Sequence, residues 1–460
     1  MLFGRTNELQ SLEDMYVGDK NSFSILYGRS SIGKTTLLKE FCKDKECIYY
    51  SAPQASEKEQ FQIMKKNISR QLGIDPDSEM IATKNTYSEL LSLIDNMNSS
   101  VKLLIIEGFP NIVKSNKEFI SAIASIVKGE EIDSKTMIIC TSSSVSWIEN
   151  SLVSSIGTHA YSISAFLKLK ELSFVDTVRM FPKYSVPDCL RLYAITGGVP
   201  GYMSKFSDSV SLKDNICTQI IKIGSSLSNE GSEYIKEELR ETALYNTILF
   251  CIANGKYKLN ELHEQTNFGR DKISVYLKNL IEREIVEKIF SYDTQGYEHT
   301  RKGLYRIKAG LVEFWFRYIY ANASELNLCE PEEFYDTYIK DSLDEFASET
   351  FIKVGTEFIE LMDSMGRLQI KTSRRGRWWG KNGNIDIIAC DNKNHYVIGK
   401  CNWLSDVFTF EMFEELMYNV SLANIGKDYI YLFSKGTFDE ELTKFADEND
   451  NVTLIGINDL

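Results

Sequence analysis

Gly28-Arg29-Ser30-Ser31-Ile32-Gly33-Lys34-Thr35 decides the reading of this chain, because it fits G-x-x-x-x-G-K-[ST] with the flanks that pattern requires. The apolar run Phe23-Ser24-Ile25-Leu26-Tyr27 leads into it as a buried strand should. Behind it, Leu37, Leu38, Phe41 and Cys42 fall on one helical face. Strand, glycine loop and helix together turn backbone N–H groups and a positive helix end toward an anion. The octapeptide and the following Thr36 are therefore expected to wrap phosphates. Lys34 would pair with the β/γ oxygens and the Thr35 hydroxyl would ligate Mg²⁺, so the expected ligands are ATP and Mg²⁺.

The acids that normally complete such a site are thinner. The next strand of the core is expected at Val101-Lys102-Leu103-Leu104-Ile105-Ile106, and it ends in Glu107-Gly108-Phe109-Pro110. An Asp-Glu pair there would hold the metal and polarise the attacking water; the chain offers Glu-Gly. Glu107 is either the Mg²⁺ partner, acting through a water, or the remnant catalytic acid. On both readings one carboxylate is missing, and binding is a safer expectation than turnover. A further buried strand, Thr136–Ser142, ends in hydroxyls. Thr141 or Ser142 either senses the γ-phosphate or caps the helical segment 145–149.

Length, charge and cysteine use bound the rest. A chain of 460 residues suits two to four domains. No apolar run reaches membrane-span length, and Met1-Leu2-Phe3-Gly4-Arg5 lacks the regions of a signal peptide. Nine scattered cysteines and four distant histidines have no metal-ligand spacing, so a reducing, cytoplasmic setting is expected. The net charge of −13 excludes global coating of nucleic acid and leaves only local patches.

Beyond the first third, with its alternation of strand and helix, the pattern changes. Residues 172–234 read as helical, broken by Thr196-Gly197-Gly198-Val199-Pro200-Gly201, and are expected to form a small lid. Residues 242–307 read as a winged helix: three one-faced helices, strands at 285–290 and 304–307, and a polar wing with His299, Arg301 and Lys302. The third helix would present Lys272, Ser274, Lys278 and Asn279 to DNA. Yet segment 256–288 holds seven Lys/Arg against six Asp/Glu, and a protein-contact module fits equally. Further on, a helical stretch from Phe314 to about Met362 gives way to strands at 385–389, 396–399 and 429–433. Ahead of those strands, Arg367, Lys371, Arg374, Arg375, Arg377 and Lys381 surround Trp378-Trp379 without an acid. They make either a nucleic-acid groove or an edge strand with the tryptophans packed beneath it.

Nearly the whole chain resembles the prokaryotic AAA+-type ATPases that carry a winged helix and a DEXX-box ATPase C-terminal domain. The resemblance rests on Phe3-Gly4-Arg5 with Glu8 and Leu9, the P-loop, Phe109-Pro110, Gly197–Pro200 and Glu237–Glu241. It continues through Phe314-Trp315-Phe316-Arg317 and Gly376–Lys381 followed by Ile385-Asp386. It implies an α/β multidomain protein: a P-loop core over residues 1–170, a helical lid over 171–238 and a winged helix over 239–308. The remainder, 309–460, would be a PD-(D/E)XK nuclease-like α/β domain. Arg5, Gly198 and Pro200 would flank the adenine.

Three departures matter. The Walker B pair is Glu107-Gly108. No arginine lies between Arg70 and Arg179 to touch the γ-phosphate after the sensor strand. The nuclease-type acids would be Asp344 and Asp386, but Lys400-Cys401-Asn402 stands where Glu-x-Lys belongs. An ammonium in a carboxylate's place repels the metal, so this site is expected to be inactive. The sequence thus points to an ATP-binding switch with weak or absent hydrolysis. Its alternatives are an ATPase completed by a neighbouring subunit and an ATP-modulated DNA-binding protein; a protein partner or homo-oligomer is expected, and a membrane is not.

Overall fold

Runs of β-branched and aromatic residues buried on both faces make the first sheet. The protein is seen here as a computed structural model, which describes residues 3–114, 116–129, 135–239, 242–294, 303–381 and 383–460. Its first five strands are β1 (Ser22–Tyr27), β2 (Cys47–Ser51), β3 (Val101–Glu107), β4 (Lys135–Ser142) and β5 (Ala165–Lys168). All pair in parallel, in the order β2-β3-β4-β1-β5. One face packs Ile25, Leu104, Ile106 and Ile138 under the helices Glu57–Gln71 and Glu118–Lys128. The other packs Leu26, Leu103, Ile105 and Ile139 against Leu37, Leu38 and Phe41 of the helix Lys34–Phe41. The expected doubly wound sheet is present. It gains an edge strand, β5, that the sequence pattern did not mark.

The chain divides into two units: Met1–Glu171 with Val199–Gly201, and Leu172–Gly198 with Tyr202–Leu460. The segment expected as a lid is therefore shared. Its Val199–Gly201 turn goes with the Gly28–Thr35 loop, where the Gly201 N–H donates to the Ser31 carbonyl at 2.9 Å. Its helix Val186–Thr196 instead packs in the second unit, where Arg191 pairs with Asp344.

Within the second unit, helices Thr242–Ala253, Leu259–Thr266 and Arg270–Glu282 close over Ile248, Ile252, Leu262, Ile273 and Leu277. Strands β6 (Val286–Ile289) and β7 (Leu304–Ile307) follow as an antiparallel pair. The expected wing residues His299, Arg301 and Lys302 lie outside the described residues.

The 22-residue helix Leu343–Ser364 introduces the last sheet. Strands β8 (Arg374–Trp379), β9 (Asn384–Cys390) and β10 (Tyr396–Asn402) form an antiparallel meander. A short parallel pair, β11 (Val407–Phe408) with β13 (Thr437–Phe438), brackets the helix Phe410–Ala423 and β12 (Tyr429–Ser434). Helix Glu440–Glu448 and β14 (Val452–Gly456) end the fold, in the sheet order β14-β12-β10-β9-β8. Close approach of the long helix to this sheet needs Gly355, where a Cβ would stand 2.9 Å from Ile387 and 3.1 Å from Cys401.

Candidate functional site

The ends of β1, β3 and β4 meet at one edge of the parallel sheet, where such sheets bind ligands. From β1 the chain turns at Gly28, whose glycine is obligatory: a Cβ would lie 2.7 Å from the Leu169 carbonyl. Ser31 and Gly33 take left-handed backbone angles, and the helix starts at Lys34. Ser30, Ser31, Thr35 and Thr36 face solvent, while Ile32 is buried in the core beneath. Lys34 is buried, and its ammonium donates to the Gly28 carbonyl at 2.7 Å and the Arg29 carbonyl at 3.0 Å. Burial lowers its pKa to about 8, and Glu107 offsets part of that. A lysine so placed gains most when an anion joins it.

Glu107 stands at the tip of β3, and its carboxylate accepts from the Thr35 hydroxyl at 2.6 Å. The two side chains expected at a Mg²⁺ ion are thus already together. The next residue explains the missing acid. Gly108 has φ +74°, and a Cβ there would lie 2.7 Å from the Ala52 carbonyl. That carbonyl is held in place, because Asn111 donates to it at 2.9 Å and Ala52 itself donates to Glu107. No side chain fits at this position without moving the loop.

Three expected contacts have structural duties here. Arg5 is buried and spans the loop, donating to the carbonyls of Ile32 at 3.0 Å and Lys170 at 2.7 Å, with Glu8 at 3.3 Å. Arg29 pairs with Glu171 at 3.6 Å. The Ser142 hydroxyl accepts from the Ser144 N–H at 3.1 Å, within the turn before the helix Val145–Asn150, whose N-terminus has no side-chain cap. Pro200 lies beside Gly33: a Cβ on that glycine would be 3.8 Å from the proline ring. Gly198 falls in the second unit.

One neighbour of Glu107 was not legible in the sequence. Tyr49 on β2 packs beside Glu107 and Thr35, and burial followed by the Glu107 charge pushes its phenol well up. Its hydroxyl oxygen is shut from solvent, with the Glu107 carboxylate and the Thr35 hydroxyl as its hydrogen-bonding neighbours.

The C-terminal carboxylates form a second cluster, and it corrects one expectation. Asp344 sits at the start of its helix, bound to Arg191 at 2.7 Å and Lys435 at 3.2 Å. The acid of this helix that shares a guanidinium with Asp386 is Glu349: Arg377 reaches Glu349 at 2.7 Å and Asp386 at 4.0 Å. Arg306 of β7 also pairs with Glu349. Although burial pushes the other way, Arg377 and Arg306 bring the Glu349 carboxyl down to about 2. Asp386, almost fully buried, is pushed up by burial against Lys400 and Arg377; it accepts from the Cys401 N–H at 3.0 Å. Lys400 donates to Asn384 at 3.5 Å, and its charge acts on Asp386. Asn402 turns away to hold its own loop, donating to Ser405 and Val407 carbonyls. Guanidinium groups, rather than a third acid, meet these carboxylates, and no cluster of three metal-binding side chains exists among the described residues.

The expected nucleic-acid contacts are largely engaged. Arg375 pairs with Glu360 at 2.9 Å, Arg374 lies over the Tyr292 ring at 3.9 Å, and Arg377 is taken as above. They lie on the edge strand β8, with Trp378 buried beneath and Trp379 half-buried. On the third helix of the 242–282 bundle, Asn279 turns inward to donate to the Tyr245 hydroxyl at 2.8 Å. Lys278 pairs loosely with Glu282 and Lys272 lies over Phe268; both remain exposed.

Residues 2–206, which span the loop, Glu107 and Pro200, match a family described as an ATPase domain predominantly from Archaea. The first part of the chain carries a P-loop ATPase domain. Residues 315–416 match a second family, described as archaeal and bacterial proteins of unknown function. A curated relative, uncharacterized protein MJECL04 of Methanocaldococcus jannaschii, is 29% identical over 406 residues, 88% of each chain. Among solved structures, the Walker-type ATPase PABY2304 of Pyrococcus abyssi shares the ATPase-domain fold at 15% identity and a TM-score of 0.51. The match covers 69% of this chain and 96% of that one. The ORC2 protein of Aeropyrum pernix, solved as ADPNP–ADP complexes, matches at 16% identity and a TM-score of 0.47, over 71% and 95% of the two chains. Among the described residues, no helix of the ATPase domain or of the rest is long and apolar enough to cross a membrane.

Proposed function

We propose that this chain is an ATP-binding, nucleotide-dependent switch with an AAA+-type core and weak hydrolysis. The observation that carries the reading is the pair at the tip of β3: Glu107 holds Thr35 at 2.6 Å, while Gly108 has no room for a second acid. Mg²⁺ fits Thr35 and Glu107 by donor chemistry, a hydroxyl and a carboxylate side by side. When bound it would screen the charge of the β and γ phosphates. Lys34 supplies the cation and the loop N–H groups the remaining donors. With no second carboxylate to orient water, a bound triphosphate persists.

Coupling would follow the chain. Ser31 of the loop holds Gly201, and the polypeptide enters and leaves the segment Val199–Gly201 from the second unit. A nucleotide that favours one arrangement of this turn shifts the population of whatever arrangement of the chain goes with it. In this reading residues 242–307 are a winged helix, and 309–460 are a nuclease-like α-β-β-β-α-β domain that acts as a scaffold. The pairing of Arg375 and Arg377 with acids supports contact with protein over a grip on DNA.

Calorimetry and single-turnover hydrolysis on one purified sample test the reading. Wild type is expected to bind Mg·ATP and to turn over well below about 1 s⁻¹, the low end of ordinary enzymes. Lys34→Ala should lose about 1.5–3 kcal/mol of binding, roughly ten- to a hundredfold. Unchanged affinity in that variant sinks the phosphate assignment. Turnover of about 1 s⁻¹ or faster points instead to an active ATPase whose missing group comes from a neighbouring subunit.

A further inference from the structure

Tyr49 is held where it is by more than its own packing. Strand β2 is the edge of the parallel sheet, and Gln71 pins its outer side, accepting from the Tyr49 N–H at 2.9 Å and donating to the Tyr49 carbonyl at 2.8 Å. On the inner side the register sets Tyr49 opposite Ile105 and Ser51 opposite Glu107. Side chains alternate along a strand, so Tyr49 shares a sheet face with Glu107, and this is the face covered by the P-loop helix. The ring therefore reaches along the sheet toward the Thr35–Glu107 pair.

Its hydroxyl ends there, buried beside the Glu107 carboxylate and the Thr35 hydroxyl and off the geometry of a well-formed hydrogen bond to either. A buried O–H left unsatisfied is costly, and a protein that keeps one beside a functional carboxylate gains something by it. Glu107 has two oxygens, and the Thr35 hydroxyl donates to one of them. The Tyr49 O–H is a donor at hand for the same carboxylate or for a water it holds.

We propose that Tyr49 is a positioning residue for the Mg²⁺ that accompanies the nucleotide, its phenolic O–H supplying the hydrogen bond that fixes Glu107 toward the metal's water shell. The proposal rests on the nucleotide reading of the loop. It assigns to a tyrosine part of the ordering that a paired acid provides elsewhere: a lone carboxylate on a glutamate stem is free to turn, and a second hydrogen bond limits that freedom.

The experiment is fluorescence titration of a labelled ATP analogue, with Mg²⁺ and with EDTA, against wild type, Tyr49→Phe, Glu107→Gln and the double variant. Tyr49→Phe should match wild type in EDTA and lose about tenfold of the affinity gained with Mg²⁺, the size of loss usual for outer-shell partners of metal sites. Its melting temperature without nucleotide should change little, because the oxygen removed makes no well-formed hydrogen bond in the nucleotide-free chain. In the Glu107→Gln background the Tyr49→Phe change should add little. A full Mg²⁺ gain in Tyr49→Phe, an equal loss in EDTA, or independent addition to Glu107→Gln would each overturn the assignment. Wild type that gains nothing from Mg²⁺, or binds no nucleotide, fells the underlying reading of the loop, which is a different outcome.

Discussion

In the proposed reading, Gly108 limits the chemistry by what it excludes. Its backbone is left-handed at φ +74°, a conformation that costs an L-residue about 1–2 kcal/mol, and its Cβ would press on a carbonyl fixed by Asn111. Writing the absent glutamate back in is the obvious repair on sequence grounds, and the structure argues against it. Gly108→Glu should lower the melting temperature and leave hydrolysis no faster than wild type, because the new side chain displaces the β3 tip and with it Glu107. Calorimetry and phosphate release on the same variant check this; a stable variant with faster release would show that the loop yields. The same residues mark how far the sequence could be read. The loop and Lys34 were legible because a phosphate cradle is built from consecutive residues. Gly108 showed an absence but not its cause, which lies in Ala52, a strand away. Tyr49 was invisible, because only the β2–β3 register brings it to Glu107.

The helix Leu343–Ser364 carries the main misreading of an element. Asp344 and Glu349 are both acids on it, and the sequence favoured the first. Five residues at about 100° each turn them roughly 140° apart around the helix. Only one can face Arg377, and that one is Glu349; Asp344 faces Arg191 and Lys435. The strands of this domain were legible from their apolar runs, while the antiparallel place of β8 and the added β14 depend on pairing that no local pattern encodes. The contacts of Glu349 carry a pH signature. Its carboxyl falls from an ordinary 4.5 to about 2 in the folded chain, because Arg377 and Arg306 outweigh burial. A depressed carboxyl contributes stability above its unfolded pKa and loses it as pH falls through the folded one. Glu349→Gln should therefore melt below wild type at pH 7, with a difference that begins to shrink near pH 4.5 and is gone near pH 2. Melting curves of the two proteins across that range supply the test, and a difference independent of pH would mean that packing, not the ion pair, is what the variant loses.

On the scale of the whole molecule, the proposed switch requires that nucleotide in one unit be felt in the other, and the candidate for this is the three-residue turn that belongs to the first while its chain comes from the second. Gly201 is the tight point. A Cβ on it would stand 2.6 Å from the Ser31 Cβ and 2.8 Å from the Ser31 carbonyl, the same carbonyl that accepts the Gly201 N–H. Neither atom is the loose end of a long side chain, so Gly201→Ala must part the turn from the loop. Lys34 and its two carbonyl acceptors at Gly28 and Arg29 flank Ser31 in sequence, and their hydrogen bonds do not involve Gly201. The variant is therefore expected to fold and to keep much of its nucleotide affinity, yet lose the transmitted effect. Limited proteolysis with and without Mg·ATP gives the readout: in wild type, nucleotide should change cleavage within residues 202–460, and in Gly201→Ala that change should be absent while binding by calorimetry persists. Loss of both together would make the turn part of the phosphate site itself. Retention of both would mean that the signal travels by another route, since an equilibrium can be shifted only through interactions that differ between its states.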